Sequence, residues 1–279
     1  MIGKIVKVIS NDYTVKLNDE YIVCKPRGIF RKLNISPLAG DNVVIDKDKK
    51  MIEEIMPRKN SLVRPPVSNV DIAFVVVSVI HPAFSSNLLD KMLNIIEFNK
   101  IKPIIIITKY DLLNDTKKID DIISYYKKIG YSVFINNEID KIKKVFKGNL
   151  VILTGQTGVG KSSLINKLDS SLKLNTNEIS KALGRGKHTT RHIQLYELYD
   201  GYACDTPGFS SLSFINMNKE DIKNNMIEFN NYSCKYSNCM HINEDECMIK
   251  DKVKEGIILK SRYDNYVKFI EEKNKESKW

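Results

Sequence analysis

The sequence predicts an α/β protein in three parts. A doubly wound nucleotide-binding sheet with permuted chain order fills residues 63–212. A small OB-type β-barrel precedes it over residues 1–62, and an α-rich, zinc-binding segment follows over residues 213–279. Three observations carry this reading. Gly155-Gln156-Thr157-Gly158-Val159-Gly160-Lys161-Ser162 is a full G-x-x-x-x-G-K-[ST] phosphate loop. Thr108-Lys109-Tyr110-Asp111, in the style of an Asn-Lys-x-Asp base reader, comes before it, and Asp205-Thr206-Pro207-Gly208, in the style of a metal and γ-phosphate switch, comes after. A guanine-nucleotide domain ordinarily runs loop, switch, base reader, so here the order is permuted. Finally, Cys234, Cys239, His241 and Cys247 crowd into fourteen residues near the end.

Each part has its own pattern. In residues 1–62, Ile5–Val8, Tyr13–Leu17, Glu20–Cys24 and Asn42–Ile45 are β-rich, and Asn11-Asp12, Asn18-Asp19 and Gly40-Asp41 supply turns. Four or five short strands in that length suit a closed barrel. The segment Lys25–Lys32 lies between strands as a basic loop with one aromatic, Phe30, which favours nucleic acid. In residues 63–212 the apolar runs Ile72–Ile80 and Ile104–Ile107 read as strands buried on both faces. Leu89, Met92, Leu93 and Ile96 have helical spacing. Val133–Ile135 and Leu150–Leu153 are further strands, and Lys161–Leu168 opens a helix behind the phosphate loop. Ile193–Leu198 alternates, as an edge or antiparallel strand does. Tyr202–Cys204 leads into the switch. All three motifs follow strands, which places them at the carboxyl ends of the sheet, where open α/β sheets bind ligands. A polar helix is expected over residues 249–273, with a patchy apolar face of Ile257, Tyr263, Tyr266, Val267 and Ile270.

Composition narrows the function. At 279 residues, 42% hydrophobic and 28% charged, the chain has ample core for a soluble protein. No apolar run approaches a membrane span, and the first residues lack the apolar core of a secretory signal, so a cytoplasmic protein is expected. The formal charge is +10. Residues 1–62 hold 12 Lys/Arg against 8 Asp/Glu, residues 63–212 hold 20 against 14, and residues 213–279 balance at 12 each. The excess on the first two parts points to a polyanion partner, with solvated surface lysines as the plainer explanation. Five cysteines, an odd number without a secretory signal, argue against a disulfide framework; Cys24 and Cys204 read as core residues.

The site chemistry follows from residue types. Glycines let the backbone N–H groups of residues 155–160 approach phosphates, and the helix behind them adds positive potential. Lys161 is expected on the β- and γ-phosphates, Ser162 on Mg²⁺, and Ser163 beside them. Asp111 decides the base: a carboxylate accepts from guanine N1–H and the 2-amino group, whereas adenine would leave it buried and unpaired. Lys109 can lay its stem along the base, and Thr108 replaces the usual Asn. Asp205 is expected to hold Mg²⁺ through water, and the Gly208 N–H to sense the γ-phosphate. Phe209 stands where many such proteins have a water-orienting Gln. The loop Gly184–Arg191 is the switch I candidate. Thr189 or Thr190 closes on Mg²⁺; His188 orients the water or makes a solvent or phosphate contact; Lys187 and Arg191 meet nucleotide or polyanion phosphates, or are surface cations. The Cys₃His set matches a closed tetrahedral structural zinc site, with no vacant position for catalysis.

As a whole the chain resembles the circularly permuted, small-ribosomal-subunit-dependent GTPases of bacteria. The matching residues are Arg27-Gly28-x-x-Arg31-Lys32, Gly40-Asp41-x-Val43, Thr108-Lys109-x-Asp111, Gly155–Ser163 with Leu164-Ile165-Asn166, Gly186-x-His188-Thr189-Thr190, Asp205–Gly208, and Cys234, Cys239-x-His241-x-x-Glu244 and Cys247. Asp245-Glu246 depart from the Pro-Gly often found there. The resemblance implies a circularly permuted P-loop GTPase domain between an OB barrel and a zinc domain. It implies GTP hydrolysis during late maturation of the small (30S) subunit, with GTP/GDP, Mg²⁺ and one structural Zn²⁺ per chain. Arg27, Arg31, Lys32, Lys187 and Arg191 are the expected contacts to 16S rRNA, and His188 and Lys161 the expected catalytic residues; a monomer is expected. Two other readings stay open: a non-catalytic RNA-binding module that only senses guanine nucleotide, which Phe209 favours, and an ATP-dependent phosphotransferase, which Asp111 disfavours.

Overall fold

The computed structural model of the chain describes residues 1–63, 65–169, 192–205 and 213–276, with the backbone alone at His192 and Asp205. The chain divides into two compact units, residues 1–74 with 137–210, and residues 75–136 with 211–279.

In the first unit, β1 (Ile2–Ile9), β2 (Asp12–Leu17), β3 (Glu20–Pro26), β4 (Asn42–Asp46) and β5 (Met51–Ile55) close a five-stranded barrel. Its order is β1-β2-β3-β5-β4, and β4 returns to β1. Alternation fills its interior: Tyr13 and Val15 of β2, Ile22 and Cys24 of β3, and Val43 and Ile45 of β4 all point inward. The basic segment expected as a loop is partly helical. Helix α1 (Gly28–Lys32) turns Phe30 into the barrel core and leaves Arg27, Arg31 and Lys32 exposed. A single inward aromatic thus anchors an outward cationic turn. Gly40 sits at φ +93, and a Cβ there would lie 2.1 Å from the Ser68 carbonyl oxygen, so the turn needs glycine. The next residue, Asp41, is fully buried. It accepts hydrogen bonds from the Leu38 N–H, the Arg58 guanidinium and the Ser68 hydroxyl, at 2.5–2.7 Å. The buried charge is paired and hydrogen-bonded, as burial requires, and the Gly40-Asp41 pair is therefore a structural tie between the barrel and the segment that leaves it.

That segment forms a small hairpin of β6 (Ser61–Val63) and β7 (Pro66–Ser68). The rest of the first unit holds α4 (Ile139–Phe146), β11 (Leu150–Thr154), α5 (Lys161–Leu168), β12 (His192–Leu198) and β13 (Gly201–Asp205). β11 and β13 run parallel, with Ile152 opposite Cys204. β12 is antiparallel to β13, as its alternation allows, but it is not an edge. Its other side pairs with β1 of the barrel, Lys7 opposite Gln194 and Val8 opposite Ile193. Two barrel side chains span the same junction: Lys16 Nζ and Tyr21 Oη donate to the Glu197 carboxylate at 2.6 and 2.5 Å. Cys24 and Cys204 are both fully buried.

β8 (Ile72–Ser78) begins in the first unit and ends in the second, where the strand order is β10-β9-β8. β9 (Lys102–Thr108) and β10 (Ser132–Ile135) are parallel, and α2 (Ser86–Phe98) and α3 (Lys117–Lys128) connect the strands. β8 is buried along its whole length, as its unbroken apolar run requires. The carboxyl-terminal region adds α6 (Lys219–Asn224), α7 (Met248–Lys254) and α8 (Lys260–Glu276). The single helix expected over residues 249–273 is broken. Gly256 takes φ +72 after α7, and the N–H groups of Gly256 and Ile257 fold back onto the carbonyls of Val253 and Lys252. The patchy apolar face has a cause. Arg262 and Asn265 occupy buried positions in the stripe, beside Tyr266, Phe269 and Ile270. Among the described residues no helix is long and apolar enough to cross a membrane.

Candidate functional site

The phosphate loop leaves β11 at Thr154 and enters α5 at Lys161. Gly155, Gly158 and Gly160 have φ of 147, 82 and 98, which L side chains rarely adopt, so the glycine spacing is dictated by the backbone path. Val159 is buried and anchors the loop, while Gln156, Thr157 and Gly158 are exposed. The Lys161 ammonium is held across the loop by the carbonyl oxygens of Gly155 and Gln156, at 2.7 and 2.8 Å. Ser162 and Ser163 lie in the first turn of α5, beside the N–H groups that make a helix start attractive to phosphate. Asp205 is the last residue of β13, opposite Leu153 of β11. Thr206, Pro207, Gly208 and Phe209 lie outside the described residues. So do Gly184, Arg185, Gly186, Lys187, His188, Thr189, Thr190 and Arg191.

In the second unit, Thr108 closes β9. Its buried hydroxyl donates to the Val77 carbonyl of β8 at 3.2 Å, and its own carbonyl accepts from the Val79 N–H. The hydroxyl that stands where an Asn is usual therefore stitches two strands together. Lys109 has a left-handed backbone, φ 59, and its ammonium donates to the His81 carbonyl. Tyr110 donates to Asp120 of α3 at 2.7 Å. Asp111 lies in the following 3₁₀ turn and is exposed, contrary to the buried carboxylate that the base argument assumed. It sits in the short turn that follows the end of β9 and the left-handed Lys109.

The four residues of the Cys/His cluster come together within the second unit. One ligand atom each from Cys234, Cys239, His241 and Cys247 lies within 4.8 Å of the others. His241 Nδ1 is 3.4, 3.3 and 3.4 Å from the three sulfurs, and the Cys234 and Cys247 sulfurs are 3.9 Å apart. A tetrahedral zinc with Zn–S near 2.3 Å and Zn–N near 2.0 Å needs edges of about 3.5–3.8 Å, so the set fits zinc. Burial, with Lys223 nearby, lowers the His241 pKa to about 4, which keeps the imidazole neutral as a ligand must be. Burial raises the Cys239 thiol to about 12, so a metal bound there would displace its proton.

Sequence reasoning gave Glu244 no role, and the structure supplies one. Its carboxylate accepts from the Met240 and Ile242 N–H groups at 2.7 and 2.9 Å and so shapes the loop between Cys239 and Cys247. Burial opposes its ionisation, but those N–H groups, with others of the same turn, outweigh it and hold its pKa down to about 2. A second missed group is the buried Arg262, paired with Asp90 of α2 and Glu228. The signal was an arginine in the apolar stripe of a helix, where only a buried acid can satisfy it. On the barrel, Arg27 and Arg31 line a surface cavity of about 460 Å³ with Asn11, Tyr13, Phe30 and Asn34.

Comparison with known proteins extends these observations to the whole chain. Two family models match, the RsgA N-terminal domain over residues 2–52 and the RsgA GTPase over residues 55–216. The chain is 45% identical over 285 residues to the small ribosomal subunit biogenesis GTPase RsgA of Bacillus velezensis, spanning 97% of this chain and 96% of that one. It is 44% identical over 289 residues to RsgA 2 of Listeria monocytogenes, spanning 99% of each. Two crystal structures share the fold. YloQ, described as a circularly permuted GTPase, superposes with a TM-score of 0.83 at 37% identity over 99% of this chain and 95% of that one. YjeQ from Thermotoga maritima superposes with a TM-score of 0.85 at 35% identity over 98% of each. The permuted motif order, the five-stranded barrel and the full-length likeness agree, and the chain belongs to the RsgA GTPase family of circularly permuted GTP hydrolases.

Proposed function

We propose that this protein docks on the small (30S) ribosomal subunit during late maturation and hydrolyses GTP to GDP and phosphate there, acting as a cytoplasmic monomer. The observation that carries this is the pairing of a complete phosphate loop with a guanine-type base reader in one permuted chain, in a protein similar along its length to small-subunit biogenesis GTPases. The working division is residues 1–62 for RNA contact, 63–212 for the nucleotide and 213–279 for zinc.

In this reading Gly155–Ser163 and the Gly208 N–H hold the phosphates, and Thr108, Lys109, Tyr110 and Asp111 hold guanine. Lys161 exchanges its two loop carbonyls for the β- and γ-phosphate oxygens, so the loop keeps the ammonium close to where it acts. Ser162, Asp205 and Thr189 or Thr190 would hold Mg²⁺, which would supply positive charge against the phosphates. One structural zinc is held by Cys234, Cys239, His241 and Cys247. Arg27, Arg31, Lys32, Lys187 and Arg191 contact 16S rRNA.

Phe209 cannot polarise water, which makes His188 the in-chain candidate for orienting it. Contact of Lys187 or Arg191 with rRNA would then place His188 in its productive geometry, and placement alone changes rates by orders of magnitude. Single-turnover hydrolysis with and without small subunits tests the reading. Stimulation is expected, with His188→Ala lowering the stimulated rate at least about tenfold, about 1.4 kcal/mol of barrier, at little cost in GTP affinity. Equal rates for the two proteins remove His188 from the mechanism. No hydrolysis in either condition would leave a nucleotide sensor without turnover.

A further inference from the structure

The ties of the base reader run to β8, to the segment that leads into α2, and to α3; α8 in turn contacts α2 and α3. Lys109 is tied to His81, in the segment that enters α2, and Thr108 to Val77, just before that segment. Tyr110 is tied to α3. The first turn of α2 then meets α8 through one side chain. The Asn265 amide donates to Asp90 at 2.7 Å and to Ser86 at 3.3 Å, and its oxygen accepts from Asn87 at 3.1 Å. Asp90 is also the point where α3 joins: its carboxylate accepts from Tyr126 Oη at 2.5 Å and from the Arg262 guanidinium at 2.6 Å. Arg262 completes the set with both oxygens of Glu228, and stacks over the rings of Tyr126 and Tyr131.

The same helix is fastened to the Cys₃His loop. Tyr263 donates to the His241 carbonyl at 2.7 Å, and Tyr266 to the Met240 carbonyl at 2.6 Å. Consecutive turns of α8 therefore grip the metal loop on one side and the supports of the base reader on the other. Asn265, Asp90 and Arg262 are all buried, where a polar network that is fully partnered fixes geometry and one that is partly broken does not.

We propose that Asn265, with Arg262, is a positioning residue for guanine recognition, and that through it the zinc-binding module sets how well residues 108–111 read the base. The proposal rests on the base-reader assignment of the preceding section. Its consequence is reciprocal: a partner that strains the metal loop changes guanine affinity, and guanine binding changes affinity for that partner by the same factor.

The test is calorimetric binding of GTP, ITP, ATP and inorganic tripolyphosphate, each with Mg²⁺, to the full-length protein. ITP lacks the 2-amino group that Asp111 accepts from, so the GTP-to-ITP ratio reports the base reader and tripolyphosphate reports the phosphate loop. Asn265→Ala is expected to weaken GTP about fivefold, the low end of measured coupling between sites. ITP should weaken much less and tripolyphosphate not at all. Lys91→Ala removes a separate α2–α8 link outside the Asn265–Asp90–Arg262 network, the ion pair with Glu272, and should leave the ratio alone; a general loss of packing would move both variants together. Asn87→Ala breaks the same Asn265 contact from the half-buried α2 side and should shift the ratio in the same direction even where Asn265→Ala fails to fold. A ratio unchanged in the Asn265 and Asn87 variants overturns the proposal, as does an equal fall in Lys91→Ala. If the parent protein binds ATP as tightly as GTP, the base-reader assignment has failed and the proposal with it, so the two failures are told apart.

Discussion

Single side chains set the chemistry, and three of them give direct tests. Asp111 is exposed, and in the proposed reading it would discriminate by the hydrogen bonds it makes to the base. Asp111→Asn should weaken GTP and move preference toward XTP, whose 2-oxo group needs a donor; competition among GTP, XTP and ATP measures it, and an unmoved preference removes Asp111 from the base. Lys161 is already tethered at the phosphate loop, so Lys161→Ala should abolish stimulated hydrolysis without unfolding the first unit. Glu244 organises the Cys/His loop through backbone N–H groups, and Glu244→Gln should lower stability at neutral pH by about 1.5–3 kcal/mol, as for hydrogen bonds to a charged group. Its folded pKa lies near 2, below the ordinary 4.5. The stability it contributes is therefore complete above about 4.5 and is lost as pH falls toward 2. Thermal melts of parent and variant should converge over that window.

At the scale of elements, the loop of the Cys/His cluster is the clearest case of structure made by side chains. Between Cys234 and Cys247 the described backbone forms no helix or strand, so the loop depends on the Cys₃His set, Glu244 and the two tyrosines of α8. Cys239→Ala should loosen residues 213–279 first, because metal binding is folding free energy there. Protein purified without added metal should carry one zinc per chain by elemental analysis; zinc-free protein with a normal fold would sink the assignment. The cluster of Cys234, Cys239, His241 and Cys247 was legible in the sequence because thiolates and imidazole have few other uses so close together. Glu244 was not, since a carboxylate that caps turns looks like any surface acid. The break between α7 and α8 was missed for a related reason: Gly256 in a long polar pattern reads as a tolerated residue until its positive φ is seen. Helix α1 was hidden because five residues are too few to show a period.

At the scale of the molecule, the barrel strands, the buried strands of the nucleotide domain and the motif order could all be read from residues, because alternation, apolar runs and glycine spacing are local. Long-range partners could not. Nothing near Asp41 in sequence announces Arg58, and nothing near Asp90 announces Arg262. The charge excess of the first two parts is equally legible, and it carries a prediction for the whole protein. Binding to small subunits should be strongest with GTP and fall steeply with salt, because each rRNA phosphate contact releases counterions. Replacing Arg27, Arg31 and Lys32 together with Ala should weaken co-sedimentation and flatten the salt slope; unchanged pelleting and slope would rule out α1 as a contact.

The ladder between β1 and β12 has a consequence for anyone who divides this chain. The barrel is not a bead that can be clipped off, because its first strand supplies the hydrogen-bond partners of β12. Protein lacking residues 1–62 would present β12 as an unsatisfied row of N–H and C=O groups bearing Ile193 and Leu195, a template on which a second copy can add itself. Light scattering should show that fragment self-associating where the whole protein stays dispersed, and charged residues placed on the bared strand should suppress it. In the whole protein, by contrast, β1 covers that strand, so removing the amino-terminal module calls for a replacement strand on β12.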